Sequence, residues 1–310
     1  MRVFITVISL CLLIICCYSI FELKSSSKLP VNSTRQWYRK SVNKLDKKVG
    51  LLCNALVTHQ SEFAVQQAFR ECRLAYKKIE VVVEYYHPYT AQFINSPAVQ
   101  KSEFQELEAL LFPVVQPAAY IEAKKLQSVM RKLQQESEVI EPTDGQLFDA
   151  MRLELVRIMS LGLSESDSPQ AQYSLPEAVA SLEGIREIWQ FYVPTVNVYN
   201  PAIVKYMNEL LTASEASLQT GAFDKQDFIN EYVNNLAINL KMAREALRIP
   251  YDNQQYILDP AASNIFAKNA ILPLYAIPDS IDLKSMNGPA ASYLQGLLRQ
   301  NSALNNYVQK

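Results

Sequence analysis

Glycine is scarce in this chain, and the scarcity limits the folds open to it more than any other feature. Only 7 of the 310 residues are glycine, whereas average proteins contain about 7%. Tight hairpin turns, phosphate-binding loops and strand bulges depend on glycine, because it adopts positive φ without strain. The shortage therefore argues against all-β folds and nucleotide-binding α/β folds, and it favours an all-α protein.

Hydrophobic periodicity supports the all-α prediction. Apolar residues recur at steps of three and four, as on one face of an amphipathic helix, and no segment alternates convincingly as a strand would. Helices are predicted over residues 32–58, 61–86, 102–112, 118–140, 144–162, 177–194, 201–218, 225–247 and 289–308. The length is enough for two domains. We therefore predict two antiparallel helical bundles, an arrangement consistent with internal duplication.

The predicted domain plan follows shifts in composition along the chain. A Ser-rich, acidic, Pro-containing stretch marks the linker between the bundles, and the last part of the second bundle is an irregular, Pro-punctuated tail. In order, the plan is a signal peptide or membrane anchor (1–22), a tether (23–34), bundle 1 (35–163), a linker (164–174) and bundle 2 (175–310).

The N-terminus predicts export. Residues 3–21 form an almost unbroken apolar run of the length that crosses a bilayer as a helix, so they are a secretory signal or an uncleaved anchor. Cys16 and Cys17 follow the apolar core, as in a lipoprotein acylation box, although Ile14 and Ile15 replace the usual small residues. A lipid anchor and a transmembrane anchor remain alternatives. Both predict the bacterial cell envelope, on its periplasmic or outer-surface side.

Cys53 and Cys72 fall on two helices that a turn near residues 59–62 would make antiparallel. Their numbers are symmetric about that turn, so a cross-helix disulfide is one interpretation in an oxidising compartment. The other is two buried free cysteines that act as small apolar residues.

Several chemistries are excluded by what the sequence lacks. The net charge is −1, which gives no electrostatic footprint for nucleic acid. The only histidines are His59, in a predicted turn, and His87, at a predicted helix end, so a His-rich metal site is excluded. There is no C-x-x-C-H motif for covalent haem, no H-E-x-x-H, no G-x-S-x-G and no Walker loop.

Two polar constellations remain as candidate functional residues. Arg73, Tyr76 and Glu80 are spaced by three and four, on an otherwise apolar helix face. A buried arginine and glutamate must be paired, since unpaired charges cost several kcal/mol; the alternative is a partly exposed pair. Gln105 and Glu108 share a face of a later helix, where the alternative is ordinary surface polarity.

The first constellation resembles a known family. Ala68, Arg73, Tyr76 and Glu80 form the pattern A-x-x-x-x-R-x-x-Y-x-x-x-E, which is similar to the early helix of imelysin-like proteins, also called the M75 peptidase family. Residues 84–97 and 244–273 look like the imelysin-like N-terminal region that precedes dihaem cytochrome c peroxidase domains in some bacteria.

The family's hallmark G-x-H-x-x-E is degenerate here. Glu108 matches the family glutamate, but Glu103 replaces the glycine and Gln105 replaces the histidine. A glutamine amide oxygen is a weak, neutral ligand for first-row metals compared with imidazole. Activation of a zinc-bound water normally takes three protein ligands, so the departure argues against peptidase activity.

The resemblance implies a double helical bundle in the envelope and a role in iron or haem handling. The leading hypothesis is a non-catalytic binding or docking module whose partner is a dihaem peroxidase or an iron- or haem-uptake component. Its polar pocket would be lined by Arg73, Tyr76, Glu80, Gln105 and Glu108. One alternative is a metal-dependent hydrolase that uses iron or another divalent cation, with Glu80, Glu108 and His87 as weak candidate ligands. Another is a purely structural helical scaffold.

Overall fold

The computed structural model describes residues 30–95, 102–164 and 167–250, and all regular secondary structure in these ranges is helical. The all-α prediction is confirmed. From Val31 onward the described residues belong to one compact unit. None of the helices in these ranges is both long enough and apolar enough to cross a membrane. The predicted anchor, Cys16, Cys17, the tail after Pro250 and the helix over 289–308 lie outside the described residues.

Ten α-helices follow one another in the described ranges, and two π-helical segments are inserted among them. The segment Ile158–Gly162 continues α6, and Ile229–Val233 joins α9 to α10. The α-helices are α1 (Val31–Val57), α2 (Glu62–Tyr86), α3 (Pro88–Ile94), α4 (Glu103–Leu111), α5 (Ala119–Val139), α6 (Asp144–Arg157), α7 (Ser174–Tyr199), α8 (Pro201–Thr220), α9 (Lys225–Phe228) and α10 (Asn234–Ala246).

The ends of the helices follow from local chemistry. Ser61 caps α2, because its side chain accepts a hydrogen bond from the backbone N–H of Ala64, which satisfies one of the free donors of the first turn. Thr143 and Gln146 form a reciprocal capping box at the start of α6. The left-handed φ of Gly221, 65°, ends α8.

Two predictions about individual helices are wrong. No helix is predicted between residues 86 and 102, but Pro88 at the first helical position starts the short helix α3, a position that tolerates proline because its N–H would be unpaired anyway. Helix α7 was expected to end near Pro194 but continues to Tyr199. Tyr192 and Val196 are fully buried on either side of that proline, so packing holds the helix through it.

Helix α2 is the centre of the assembly. It packs along α1 on one side and along α7 on another, and it also contacts α6, while α5 packs against α1. Close approach of α2 and α7 requires a glycine at residue 184, since a Cβ there would lie 2.2 Å from the carbonyl oxygen of Lys78. Helices before and after the predicted linker therefore pack against each other. The predicted second bundle includes residues 251–310, which lie outside the described residues. The division into two bundles therefore stays a prediction.

Cys53 and Cys72 are buried free thiols, so the structure shows the second of the two interpretations and corrects the disulfide candidate. The Sγ atom of Cys53 donates a hydrogen bond to the carbonyl oxygen of Ala123, 3.4 Å away on α5. Burial raises the pKa of both thiols, which keeps them protonated and unreactive.

Candidate functional site

Four of the five candidate pocket residues are buried. Arg73, Tyr76 and Glu80 on α2 and Glu108 on α4 are no more than 2% exposed. Gln105 is half-buried. The face of α2 that the helical spacing identified thus turns inward, where each charge needs compensation.

Arg73 is fully engaged by protein groups. Its Nε and Nη2 atoms donate to the two carboxylate oxygens of Glu177 on α7, both at 2.6 Å, a bidentate geometry that adds strength and specificity. Nη2 also donates to the carbonyl oxygen of Asp167 at 2.8 Å, and Nη1 donates to the side-chain oxygen of Asn95 at 3.2 Å. The guanidinium also lies 5.2 Å from the centre of the Phe104 ring.

Glu80 is engaged in the same way, about two turns further along α2. Lys77 donates to both of its oxygens at 2.9 Å and to Asp167 at 2.7 Å. Asn95 donates its side-chain N–H to Glu80 at 3.2 Å, so this one amide links the Arg73 and Glu80 parts of the cluster. Ser181 on α7 donates a longer bond to Glu80, at 3.4 Å.

Arg157, the last residue of α6, has three carboxylates around it. Its guanidinium nitrogens lie 2.8 Å from Glu80, 3.2 Å from Glu84 and 3.8 Å from Glu154. The last distance is too long for a hydrogen bond. The hydroxyl of Tyr76 donates to Glu84 at 3.1 Å.

These contacts join one buried ion-pair cluster, which we call the α2 cluster. Its charged members among the described residues are three cations, Arg73, Lys77 and Arg157, and five carboxylates, Glu80, Glu84, Glu154, Asp167 and Glu177. The carboxylates outnumber the cations, and an excess of buried negative charge is costly. Protons on some of the carboxylates reduce that cost.

The surroundings decide which carboxylates carry those protons. Burial raises the pKa of Glu80, but Arg157 and Lys77 outweigh it and lower the value to about 2. Burial raises the pKa of Glu84 to about 7, and the charge of Glu80 adds to this shift while Arg157 opposes it. Burial and the charge of Glu80 also raise the pKa of Glu154 well above its usual range. Glu80 is ionised at neutral pH, and burial favours the protonated form of Glu154.

Glu108 has a separate structural role. One of its oxygens accepts hydrogen bonds from the backbone N–H groups of Gln170 and Ala171, at 2.8 and 2.7 Å. These residues belong to the connection between the π-helical segment of α6 and α7. Burial raises the pKa of Glu108, and the two backbone donors and Arg73 oppose that shift. Glu108 therefore fixes a connecting segment to α4.

The candidate metal ligands do not come together. Within the described ranges, no group of three or more His, Cys, Asp or Glu side chains could hold a metal ion, so Glu80, Glu108 and His87 do not form one. His87 caps the end of α2 through its backbone N–H. Its ring stacks on Tyr38 with the centroids 6.0 Å apart, and its Nδ1 lies 3.7 Å from Glu136.

Several cluster residues were missed by the sequence analysis. Lys77 and Glu84 could have been found, because Arg73, Lys77, Glu80 and Glu84 recur at steps of four, three and four on α2. The other partners are brought from distant parts of the chain, which short-range spacing does not reveal. These are Asn95, Glu154, Arg157, Asp167, Glu177 and Ser181.

An open groove lies on another side of α2, between α1 and α7, and the end of α8 closes one side. Its volume is about 720 Å3, and none of the five candidate pocket residues lines it. Its apolar lining residues include Leu74, Ala75, Ile79, Val179 and Ala180. Two ion-pair groups border it: Lys48 with Glu71 at 2.7 Å, and Lys78 with Glu183 at 3.3 Å and Glu187 at 3.1 Å.

Comparison with known proteins does not add a relative. Neither the models of protein families nor the curated proteins contain a match to this chain. The imelysin-like resemblance therefore depends on the motif residues themselves, above all Arg73, Tyr76, Glu80 and Glu108.

Proposed function

We propose that this protein is a non-catalytic, imelysin-like docking module of the bacterial cell envelope, with a function in iron or haem handling or as the partner of a dihaem cytochrome c peroxidase. One observation carries the non-catalytic part. Arg73, Tyr76 and Glu80, on which the resemblance depends, are bound to other protein groups inside the α2 cluster. Glu108 is bound to the backbone N–H groups of Gln170 and Ala171, so all four residues stabilise the packing of the fold.

The hydrogen-bonding capacity of these residues supports that interpretation. Arg73 uses all three of its guanidinium nitrogens on Glu177, Asp167 and Asn95. Both oxygens of Glu80 accept bonds from protein donors. A catalytic acid, base or metal ligand must be able to reach the substrate or the metal, and these buried side chains are committed to each other.

The groove supports the docking part of the proposal. Leu74, Ala75 and Lys78 are half-buried, and Leu74 and Ala75 stand four and three residues before Lys78 on α2, with α1 and α7 on either side. A groove between two helices can bind the apolar face of a third helix when the base of the groove is apolar. The ion pairs that border the groove add specificity. Because they combine opposite charges, they leave the border of the groove with little net charge. We therefore place the partner's amphipathic segment in the groove.

A binding experiment with a matched control tests this function. The full-length chain is titrated with the purified dihaem cytochrome c peroxidase of the same organism, and affinity is measured by calorimetry. Ala75→Glu puts a charge on the groove floor, while Leu51→Glu puts the same charge on an apolar side chain of α1 that is 63% exposed. We expect Ala75→Glu to weaken binding about tenfold or more, a loss of ~1.4 kcal/mol, and Leu51→Glu to leave it unchanged.

A second experiment tests whether the chain itself binds haem or iron. In the absence of the peroxidase, haem is titrated into the protein and its Soret band is followed, and bound iron is measured by elemental analysis. Saturable haem or iron binding that Ala75→Glu abolishes would favour direct handling over peroxidase docking. The proposal is overturned if the chain binds neither the peroxidase nor haem nor iron, or if both variants behave alike.

A further inference from the structure

Three carboxylates lie around one arginine at the end of α6. Glu80 and Glu84 come from α2, and Glu154 comes from the preceding turn of α6, and all three lie around the Arg157 guanidinium. Both Arg157 and Glu154 are at most 3% exposed. Water is therefore largely excluded around Arg157 and Glu154, while the Glu84 side chain is 12% exposed.

We propose that Glu84, Glu154 and Arg157 form a proton-operated latch: with Glu84 and Glu154 protonated, the end of α6 is held on α2, and when both are ionised this contact opens. The latch would control the mobility of the segment that follows Arg157. It does not depend on the groove or on any partner of the protein.

The groups facing the latch determine its charge. From α2 they are Tyr76, Lys77 and Glu80; from α7 they are Ser181 and Glu177; from the end of α3 and the connection to α7 they are Asn95 and Asp167. Lys77 is already shared by Glu80 and Asp167, and Arg73 is occupied by Glu177. Arg157 is the cation beside Glu154, at 3.8 Å, and it is shared with Glu80 and Glu84, so ionisation of Glu154 favours entry of water.

The backbone after Arg157 is suited to opening. Ile158–Gly162 is π-helical, a conformation that usually occurs as a short insertion and often at functional sites. The connection that follows is attached through Asp167 to Lys77 and through Gln170 and Ala171 to Glu108. The π-helical segment itself is buried, with Ile158 and Leu161 at most 2% exposed, so release at Arg157 would expose to water a segment that is otherwise protected.

Amide hydrogen exchange of the full-length protein tests the latch. Peptides that cover the π-helical segment are followed at pH 5.5 and pH 8.5, with rates corrected for the intrinsic pH dependence of exchange. We expect their protection to fall about tenfold or more at the higher pH, since each pKa unit corresponds to a factor of ten. Peptides from the middle of α5 should show no such change.

Isosteric variants separate the latch from general alkaline loosening. Glu84→Gln with Glu154→Gln keeps the shape of the protonated side chains and removes their ionisation, so protection should stay constant between the two pH values. Glu138→Gln, at a site 59% exposed and paired with Arg39, should keep the wild-type response. The latch is excluded if wild-type protection does not change with pH, or if the double variant retains the change.

A measurement on the unmodified protein covers the case in which the double variant does not fold. Infrared difference spectra between pH 6 and pH 9 report the C=O stretch of protonated carboxylic acids. We expect a band from buried protonated carboxyls at pH 6 that disappears on ionisation in step with the loss of protection. If exchange changes with pH while this band does not, another group is responsible and the latch is wrong.

Discussion

Arg73 and Glu177 form a buried bidentate ion pair at 2.6 Å although 104 residues separate them in the chain. The pair joins α2 to α7. The same two helices meet again at Gly184, where the backbone of Lys78 leaves no room for a side chain. A polar contact and a steric contact thus fix the relative position of the two helices along their length.

Loss of one partner of this pair should be strongly destabilising. Arg73→Ala leaves Glu177 buried without its cation, which costs about 3–5 kcal/mol in comparable sites. Urea unfolding followed by circular dichroism measures the change. Arg186→Ala is the control, because Arg186 pairs with Glu215 in the same bidentate way at 2.9 and 2.8 Å but is 26% exposed, so about 1 kcal/mol or less is expected. Equal losses in the two variants would contradict this assignment.

Two glycines in helices should respond to alanine in opposite directions. Gly184→Ala places a Cβ 2.2 Å from a backbone oxygen, so the helices must move apart and the free energy of unfolding should fall by about 1–3 kcal/mol or more. At Gly50 the nearest atom that a new Cβ would meet outside its own helix belongs to the Gln127 side chain, 3.9 Å away. Gly50→Ala should therefore stabilise the protein by up to ~1 kcal/mol through helix propensity. Thermal unfolding of both variants gives the comparison.

Local sequence signals predicted the helices well, and their physical basis explains why. The amphipathic spacing and the cap at Ser61 are short-range features, and the structure has α1 and α2 within a residue of their predicted bounds. The continuation of α7 through Pro194 is different, because the burial of Tyr192 and Val196 outweighs the local preference of proline. Tertiary packing of this kind is not encoded within a short window.

The candidate site also shows that short-range sequence patterns do not predict long-range contacts. Spacing on α2 placed Arg73, Tyr76 and Glu80 on one face, and the structure buries that face. Their charge partners Glu177 and Arg157 come from sequence positions at which nothing local identifies them. A resemblance in sequence therefore located the residues, but only the long-range contacts reveal that they are bound to protein groups.

Stability should decrease as the pH rises towards neutrality because of Glu84. Its folded-state pKa is raised to about 7 from 4.5, so between these values the folded protein binds more protons than the unfolded chain, and raising the pH favours unfolding. The loss is on the order of a few kcal/mol and is complete above the folded-state value. Glu84→Gln should flatten this part of the profile in urea titrations at pH 4.5 to 8.

Glu80 should act in the opposite direction and in a lower pH range. Arg157 and Lys77 overcome the effect of burial and lower its pKa to about 2, so its contribution is present above the unfolded value of about 4.5 and is lost as the pH falls towards 2. A wild-type profile with a single maximum near pH 4.5 to 5 would agree with both assignments. Stability that rises steadily from pH 5 to pH 8 would contradict the assignment of Glu84.

Substitutions at Glu108 distinguish its structural role from metal binding. Glu108→Ala removes the acceptor of two backbone N–H groups, those of Gln170 and Ala171, and should cost about 1–3 kcal/mol. It should also speed proteolysis in the connection before α7. Glu108→Gln retains an acceptor oxygen and should lose much less. Elemental analysis of both proteins checks the alternative, since a metal lost equally from Glu108→Ala and Glu108→Gln, together with unchanged proteolysis, would assign Glu108 to a metal site instead.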